Sequence, residues 1–111
     1  MKPTVYVTQE TEYDFLPAEA FGEIKFITSH DINNVRGSLH NEELIRRIRM
    51  RLHAFDPARD FVVITGSPYV AAVVFLILGN RGITEVNLLR WSNRDRVYIP
   101  LTVKLPPTRE E

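Results

Sequence analysis

Three groups of residues carry side chains that could bind an anion or act on one. His30 and Asp31 place an imidazole beside a carboxylate, a pairing used for general base catalysis and for binding divalent metals. Arg36 follows in the same polar stretch and has the guanidinium that suits phosphoryl oxygens. The third group, Thr65-Gly66-Ser67, joins two apolar runs. These residues would suit a small phosphoester-directed enzyme, or a site that only binds its ligand.

The arrangement around His30 and Asp31 is weak support for catalysis. Neighbouring residues of an extended chain point to opposite sides, so these two side chains would not form a dyad. No spacing of histidines and carboxylates matches a known metal pattern, and the chain has no cysteine. We therefore predict no metal and no cofactor, and we assign no catalytic residue. A non-catalytic role is favoured, with enzymatic activity left open.

The turn within the stretch VVITGSPYVAAVVF, residues 62–75, has two interpretations. A strand, a glycine and a helix start are the parts of an anion site, because free backbone N–H groups and the helix dipole converge there. The turn lacks the second glycine and the Lys-Ser/Thr pair of a phosphate-binding loop. Ser67 is a natural N-cap and Pro68 a natural first helical residue, so both reduce the number of free donors. The pattern favours a corner that serves the helix itself, with weakened anion binding as the alternative.

Hydrophobic periodicity predicts the elements that must position these residues. The order along the chain is strand, strand, helix, strand, helix, strand, strand. The first helix starts at Asn41 as its N-cap, and the second runs from Ser67 to about Leu78. We predict one α/β domain over residues 1–111, frayed at 1–3 and 106–111. It has a small mixed, mostly parallel, Rossmann-like sheet, a helix on each face and a C-terminal antiparallel hairpin.

The C-terminal hairpin is predicted around a four-residue turn, residues 92–95. In that register Leu89 pairs with Tyr98 and Trp91 with Arg96. The odd-numbered apolar residues of the last strand, from Val97 to Leu105, would then form its buried face. Pro100 lacks the N–H that a ladder requires, which predicts that this strand lies at the edge of the sheet.

A binding site is expected at the carboxyl ends of the parallel strands, where open α/β sheets hold their ligands. That rim would collect residues 28–36 together with the side chains that follow the other strands. We predict that it binds a nucleotide or another phosphate-bearing ligand, through a set of five residues: Gln9, Arg36, Thr65, Gly66 and Ser67.

The helix YVAAVVFLIL is apolar nearly all round, whereas a surface helix shows a polar stripe. Either the acidic N-terminal segment, with Phe15, Leu16 and Phe21, or a second subunit must cover it. We predict a homo-oligomer, with a dimer as the first expectation. The predicted interface residues are Tyr69, Val73, Leu76, Leu89, Trp91 and Tyr98.

Charge and composition exclude some partners. Residues 1–35 carry two lysines and six carboxylates, while residues 36–111 carry twelve basic and eight acidic residues. This asymmetry is typical of two halves that attract each other. The arginines at 46, 47, 49 and 51 spread around a helix and follow Glu42 and Glu43, so nucleic-acid binding is not predicted. No apolar run approaches the ~20 residues of a membrane span, and cytoplasmic location is the default.

The sequence therefore predicts a small self-associating α/β protein that binds a phosphate-bearing ligand without catalysis. One alternative is a phosphoester-directed enzyme that uses His30, Asp31 and Arg36. Another is an assembly or inhibitor protein that binds a partner protein through the Trp91/Tyr98 hairpin, where Arg90, Arg94 and Arg96 surround the two aromatic residues.

Overall fold

The computed structural model describes residues 2–107 and contains five strands, two α-helices and one short 3-10 helix. Strands form at the β-branched and aromatic runs, and the helices at the segments with helical periodicity. The strands are β1 (Thr4–Val7), β2 (Glu23–Phe26), β3 (Phe61–Val63), β4 (Glu85–Ser92) and β5 (Val97–Lys104); the helices are α1 (Leu39–Arg51) and α2 (Pro68–Asn80), and the 3-10 helix is Leu16–Ala20.

The strands form one sheet in the order β2-β1-β3-β4-β5. The three pairs among β1, β2, β3 and β4 are parallel, and β4 pairs with β5 in antiparallel orientation. The predicted mixed α/β sheet with a C-terminal hairpin is therefore confirmed. Pro100 lies in β5, which is an edge strand as expected.

Both α-helices pack on the same face of the sheet, so the prediction of a helix on each face was wrong for the α-helices. Leu44 and Ile48 of α1 share a core with Val70 and Val74 of α2. The connections from β2 to β3 and from β3 to β4 cross the sheet in the same direction, and right-handed crossovers in one direction place their helices on one side.

The opposite face is covered by the N-terminal segment. The connection from β1 to β2 runs across the sheet in the other direction, and its 3-10 helix lies on this second face. Phe15 and Ala18 are buried there against Val5, Val7 and Val63. The acidic segment therefore covers the sheet and not α2, so the first of the two covers that the sequence allowed does not form, and the second subunit stays a prediction.

A buried carboxylate joins the start of β1 to the turn before β3. Asp60 is fully buried and accepts hydrogen bonds from the backbone N–H groups of Thr4 (2.9 Å) and Asp56 (2.8 Å). Arg59 donates to it from Nε at 3.0 Å. Burial on its own would raise the pKa of Asp60, but these donors outweigh burial and hold that pKa below its usual value.

The hairpin register differs from the predicted one by two residues. Ser92 pairs with Val97, Trp91 with Tyr98 and Leu89 with Pro100, so the turn consists of residues 93–96. Arg96 closes this turn in the left-handed region, with φ 58°, and its N–H donates to the Ser92 carbonyl at 2.7 Å. Glycine and asparagine are the usual residues at such a φ. An arginine at this position therefore gives no sequence signal for the turn.

The prediction that the odd-numbered face of β5 is buried was also wrong. Val97, Ile99 and Val103 are 46%, 44% and 48% exposed, whereas Tyr98, on the other face, is buried. The two-residue shift leaves the faces unchanged, so register is not the cause. β5 lies one strand beyond β3 and β4, the strands that α2 connects, and the N-terminal segment contacts β5 from the opposite side.

Two further predictions concern the ends of elements. The N-cap of α1 is Ser38 and not Asn41, because the Ser38 hydroxyl accepts the Asn41 N–H at 3.3 Å. The predicted frayed ends fall in part on residue 1 and residues 108–111, which lie outside the described residues. Within the described part of the N-terminal end, the Pro3 carbonyl accepts the Glu23 N–H at 2.9 Å. No helix within residues 2–107 has the length and hydrophobicity needed to cross a membrane.

Candidate functional site

The predicted rim forms at the carboxyl ends of β1 and β3, which are neighbours in the sheet. The connections that leave these two strands go to opposite faces, because β1 leads to the N-terminal segment and β3 to α2. Such a point in a parallel sheet leaves a crevice between the connections. Gln9 follows β1 there, and Thr65, Gly66 and Ser67 follow β3.

A reciprocal pair of hydrogen bonds closes the base of this crevice. The Thr8 hydroxyl donates to the Thr65 carbonyl at 2.9 Å and accepts the Thr65 N–H at 3.0 Å. Thr8 is fully buried. The two chain segments are thereby held together, and the Thr65 N–H is not free to donate to an anion.

The side chain of Gln9 occupies the space in front of α2. Its Oε1 accepts the Ser67 N–H at 2.7 Å, and its Nε2 donates to the His30 carbonyl at 3.0 Å. Gly66 has φ 75°, and a Cβ added there would overlap Gln9 Oε1. The carboxamide therefore lies against the backbone turn where an anion was expected.

The N–H groups at the start of α2 are also engaged within the chain. Ser67 is the N-cap, as predicted, and its hydroxyl accepts from Tyr69 N–H at 3.2 Å and Val70 N–H at 3.4 Å. Pro68 has no N–H to offer. The favoured interpretation of the turn, a corner that serves its own helix, agrees with this geometry, and phosphate binding at the turn stays a prediction.

His30 and Asp31 lie beside this crevice but do not form a dyad. Asp31 accepts the N–H of Ile32 at 2.7 Å, and no hydrogen bond joins the two side chains among residues 2–107. The ring of His30 meets the ring of His40 edge to face, with centroids 6.3 Å apart. His40 Nε2 lies 2.9 Å from the Asp31 carbonyl. Each group is exposed, so general base catalysis has no buried site here.

Within residues 2–107, the geometry supports neither ligand binding by Arg36 nor a metal site. Arg36 is exposed in the loop before α1, and the ion pairs of residues 2–107 do not include it. In the same described range, no three histidine and carboxylate side chains are grouped as they would be to hold a metal ion. The rim thus brings together four of the five predicted ligand residues, Gln9, Thr65, Gly66 and Ser67. Gln9 contacts Gly66 and Ser67 directly.

A separate cavity, which sequence reasoning missed, lies where β3 ends and the β4–β5 hairpin continues. Its volume is about 790 Å³. The β3–β4 pairing stops at Val62 and Leu88, although β4 extends to Ser92, and the shorter strand leaves the gap. The lining residues are Tyr13, Asp14, Phe15, Pro17, Val63, Ile64, Thr65, Leu88, Leu89, Arg90, Trp91, Asn93, Arg96, Tyr98 and Leu101.

Aromatic and cationic groups meet in this cavity. The rings of Trp91 and Tyr98 lie 5.0 Å apart in an edge-to-face arrangement, and Trp91 Nε1 donates to Asn93 Oδ1 at 2.9 Å. Burial raises the pKa of Tyr98, and the nearby charge of Asp14 raises it further. The group of arginines around Trp91 and Tyr98 was the sequence signal for this end of the hairpin.

One protein-family model matches nearly all of the chain. A family model described as "Phage Pam3 gp32-like protein" matches residues 3–105. The chain belongs to this family. Comparison with curated proteins and with solved structures finds no match. The description of the gp32-like family names a phage protein and no activity, so function must be argued from the surfaces of the chain.

The predicted interface residues of this gp32-like chain divide into two sets. Tyr69 and Leu76 are exposed on α2, and Val73 is partly exposed between them. On the hairpin Trp91 is exposed, whereas Leu89 and Tyr98 are buried in the chain's own core with Phe15. The N-terminal segment packs over Leu89 and Tyr98 within the chain, and the interface role of the six residues stays a prediction.

Proposed function

We propose that this chain is a non-catalytic subunit that associates with further copies of itself through α2. The observation that carries the proposal is the composition of that helix. Its thirteen residues include no charged side chain, although one side of the helix faces solvent. A helix on the surface of a monomer normally has a charged or polar outer face.

The outer side of α2 presents large apolar groups at helical spacing. Tyr69 is 68% exposed and Leu76 is 74% exposed, with Ala72 exposed between them. Residues three and four apart lie on the same side of a helix, so these three side chains form one stripe. Full burial of a large apolar side chain contributes about 1.5–3 kcal/mol. Covering this stripe would therefore favour association strongly.

The apolar side of β5 extends the same face of the protein. Val97, Ile99 and Val103 are exposed on the side of the sheet that also carries α1 and α2. One copy thus offers a protruding apolar helix and an uncovered apolar strand on one face. A second copy supplies both complements, and closed homo-oligomers are the commonest way in which soluble proteins cover such surfaces.

Glutamate in place of Leu76 is expected to dissociate the oligomer. A charge at the centre of the apolar stripe would be desolvated without a partner in the associated state. We expect the mass in light scattering at about 50 µM to fall from a multiple of 12.9 kDa to the value of one chain. The melting temperature measured at low concentration should stay unchanged.

Met50→Glu is the matched control, because Met50 is an exposed apolar residue on the other helix, α1. This variant should keep the mass of the unmodified protein. A wild-type mass of one chain at the same concentration would contradict the proposal. So would equal dissociation by the two variants, since α2 would then have no special part in association.

The proposal assigns no ligand to the rim between β1 and β3. Four backbone N–H groups around the turn, those of Thr65, Ser67, Tyr69 and Val70, already donate to side chains of this chain. The cytoplasm is the proposed location, supported by a composition without cysteine.

A further inference from the structure

One edge of β4 pairs with β5 along the whole strand, whereas the other edge pairs with β3 only as far as Leu88. The Leu105 N–H donates to the Thr84 carbonyl at 2.9 Å, in register with the β4–β5 ladder. Backbone groups alternate in direction along a strand, so the even-numbered residues of β4 face β5. The odd-numbered residues, Leu89 and Trp91 among them, direct their N–H and C=O groups toward β3.

β3 is too short to satisfy that edge. Its last pair with β4 is Val62 with Leu88, and no residue of the described chain pairs with Trp91 on this side. The Val63 carbonyl accepts the Thr8 N–H at 3.0 Å, so Val63 faces β1, and the next residue, Ile64, faces β4. A gap bounded by unpaired backbone on both sides results, and it coincides with the cavity of about 790 Å³.

The walls of the gap suit the side chains of an extended segment. Tyr13 and Ile64, both exposed, line it together with the buried ring of Phe15. The part of β4 beyond its last pair with β3 runs from Leu89 to Ser92 and spans about four residues, roughly 13 Å, with the backbone of Leu89 and Trp91 directed into the gap. Strand addition of this kind obtains affinity from main-chain hydrogen bonds and specificity from alternate side chains.

Positive charge dominates the rim of the gap. Arg90 and Arg96 line it, and neither takes part in an ion pair among residues 2–107. The lining includes one carboxylate, Asp14, which already accepts the Leu16 N–H at 2.9 Å. Charge complementarity therefore favours an occupant that carries carboxylates.

We infer that this gap binds an extended acidic segment of a partner protein, which adds as a strand to the open edge of β4. A different protein fits better than a second copy. The chain's own acidic stretch, residues 10–14, already lies beside the gap through Tyr13 and Asp14, and would have to leave its place to enter a neighbour. This docking site is separate from the apolar surface of α2.

Fluorescence anisotropy with labelled peptides tests the inference. The probe is a hexapeptide of alternating glutamate and valine, compared with its lysine–valine counterpart. A third peptide is N-methylated at every residue and has no N–H for strand pairing on either edge. We expect the glutamate peptide to bind at least about tenfold more tightly than either of the others.

Variants of the protein locate the binding. Arg90→Glu should weaken the glutamate peptide at least about tenfold, whereas Arg94→Glu, in the same hairpin but outside the gap, should change it less than about threefold. Trp91→Pro removes the N–H at the open edge and no hydrogen bond of the β4–β5 ladder, and should abolish binding. Circular dichroism and the melting temperature check that each variant is folded.

Three results would overturn the inference. They are no binding of the glutamate peptide at about 1 mM, equal binding of the N-methylated peptide, and equal losses for Arg90→Glu and Arg94→Glu. The Leu76→Glu variant separates this inference from the proposed self-association, because it should be monomeric and still bind the peptide with unchanged affinity.

Discussion

Replacing Asp60 by alanine is expected to destabilise the protein by about 2–4 kcal/mol, because a buried carboxylate that accepts two backbone hydrogen bonds is lost. The carboxylate accepts the N–H groups of Thr4 and Asp56 and is paired with Arg59. Alanine leaves two partly buried backbone donors without their acceptor. Because Thr4 begins β1, the central strands lose their attachment to the turn before β3.

Urea unfolding followed by circular dichroism measures this loss directly. Asp95→Ala is the control, since Asp95 is an exposed turn residue, and it should change the free energy of unfolding by less than about 0.5 kcal/mol. Asp60→Asn should lie between the two variants, because it keeps the shape and one acceptor but not the charge. A loss below about 1 kcal/mol for Asp60→Ala would show that water replaces the carboxylate.

The same carboxylate makes stability depend on pH. Its pKa is lower in the folded chain than the ordinary value of 3.8, so the folded state favours the charged form. This contribution is present in full above the ordinary pKa and is lost as the pH falls through the lowered one. The free energy of unfolding should therefore decrease with acid more steeply in the wild-type protein than in Asp60→Asn.

Alanine in place of Gly66 is expected to cost about 2–3 kcal/mol, combining left-handed strain with a steric overlap. The backbone at Gly66 has φ 75°, where an L-residue is strained by about 1–2 kcal/mol. A Cβ there would also overlap Gln9 Oε1 and come within 3.0 Å of Gln9 Cβ. The Gln9 carboxamide would have to leave Ser67 N–H and the His30 carbonyl.

A double-mutant cycle separates the two causes. Gln9→Ala removes Oε1 and Cδ but keeps the Cβ of residue 9, so the Gly66→Ala substitution should cost less in that background, from left-handed strain of about 1–2 kcal/mol and the remaining close approach of the two Cβ atoms. Gly37→Ala is the matched control, because Gly37 has φ 70° with open space at its Cβ position. If Gly66→Ala costs no more than Gly37→Ala, Gln9 does not fill the crevice in solution.

Local pattern was sufficient for the order of the elements and for several of their ends. Alternation and helical spacing depend on neighbours within a few residues, and so does the capping of α2 by Ser67. Pro100 likewise places its strand at an edge through its own missing N–H. For α2, the absence of charge in the sequence already predicts a helix whose outer face needs a partner.

Two features depend on contacts between residues far apart in the sequence. They are the segment that covers each face of the sheet and the side chains that fill the crevice between β1 and β3. Gln9 meets Ser67 across 58 positions, and Asp60 meets Thr4 across 56. A glutamine after a strand has the same local pattern whether it binds a ligand or fills the crevice itself. The direction of each crossover depends on strand order, and strand order is set by packing of the whole sheet. Crossover direction in turn places both α-helices on one face and leaves β5 uncovered on that face.

The gap beside β4 arises in the same way. Its residues are ordinary for a hairpin, and the sequence shows only that arginines surround Trp91 and Tyr98. The gap exists because β3 ends after Val63 while β4 continues to Ser92, a difference in length between strands separated by α2. The sequence by itself thus determined which elements form and which helix lacks a polar face. Only the tertiary structure decided which surfaces stay open, because exposure depends on what the rest of the chain covers.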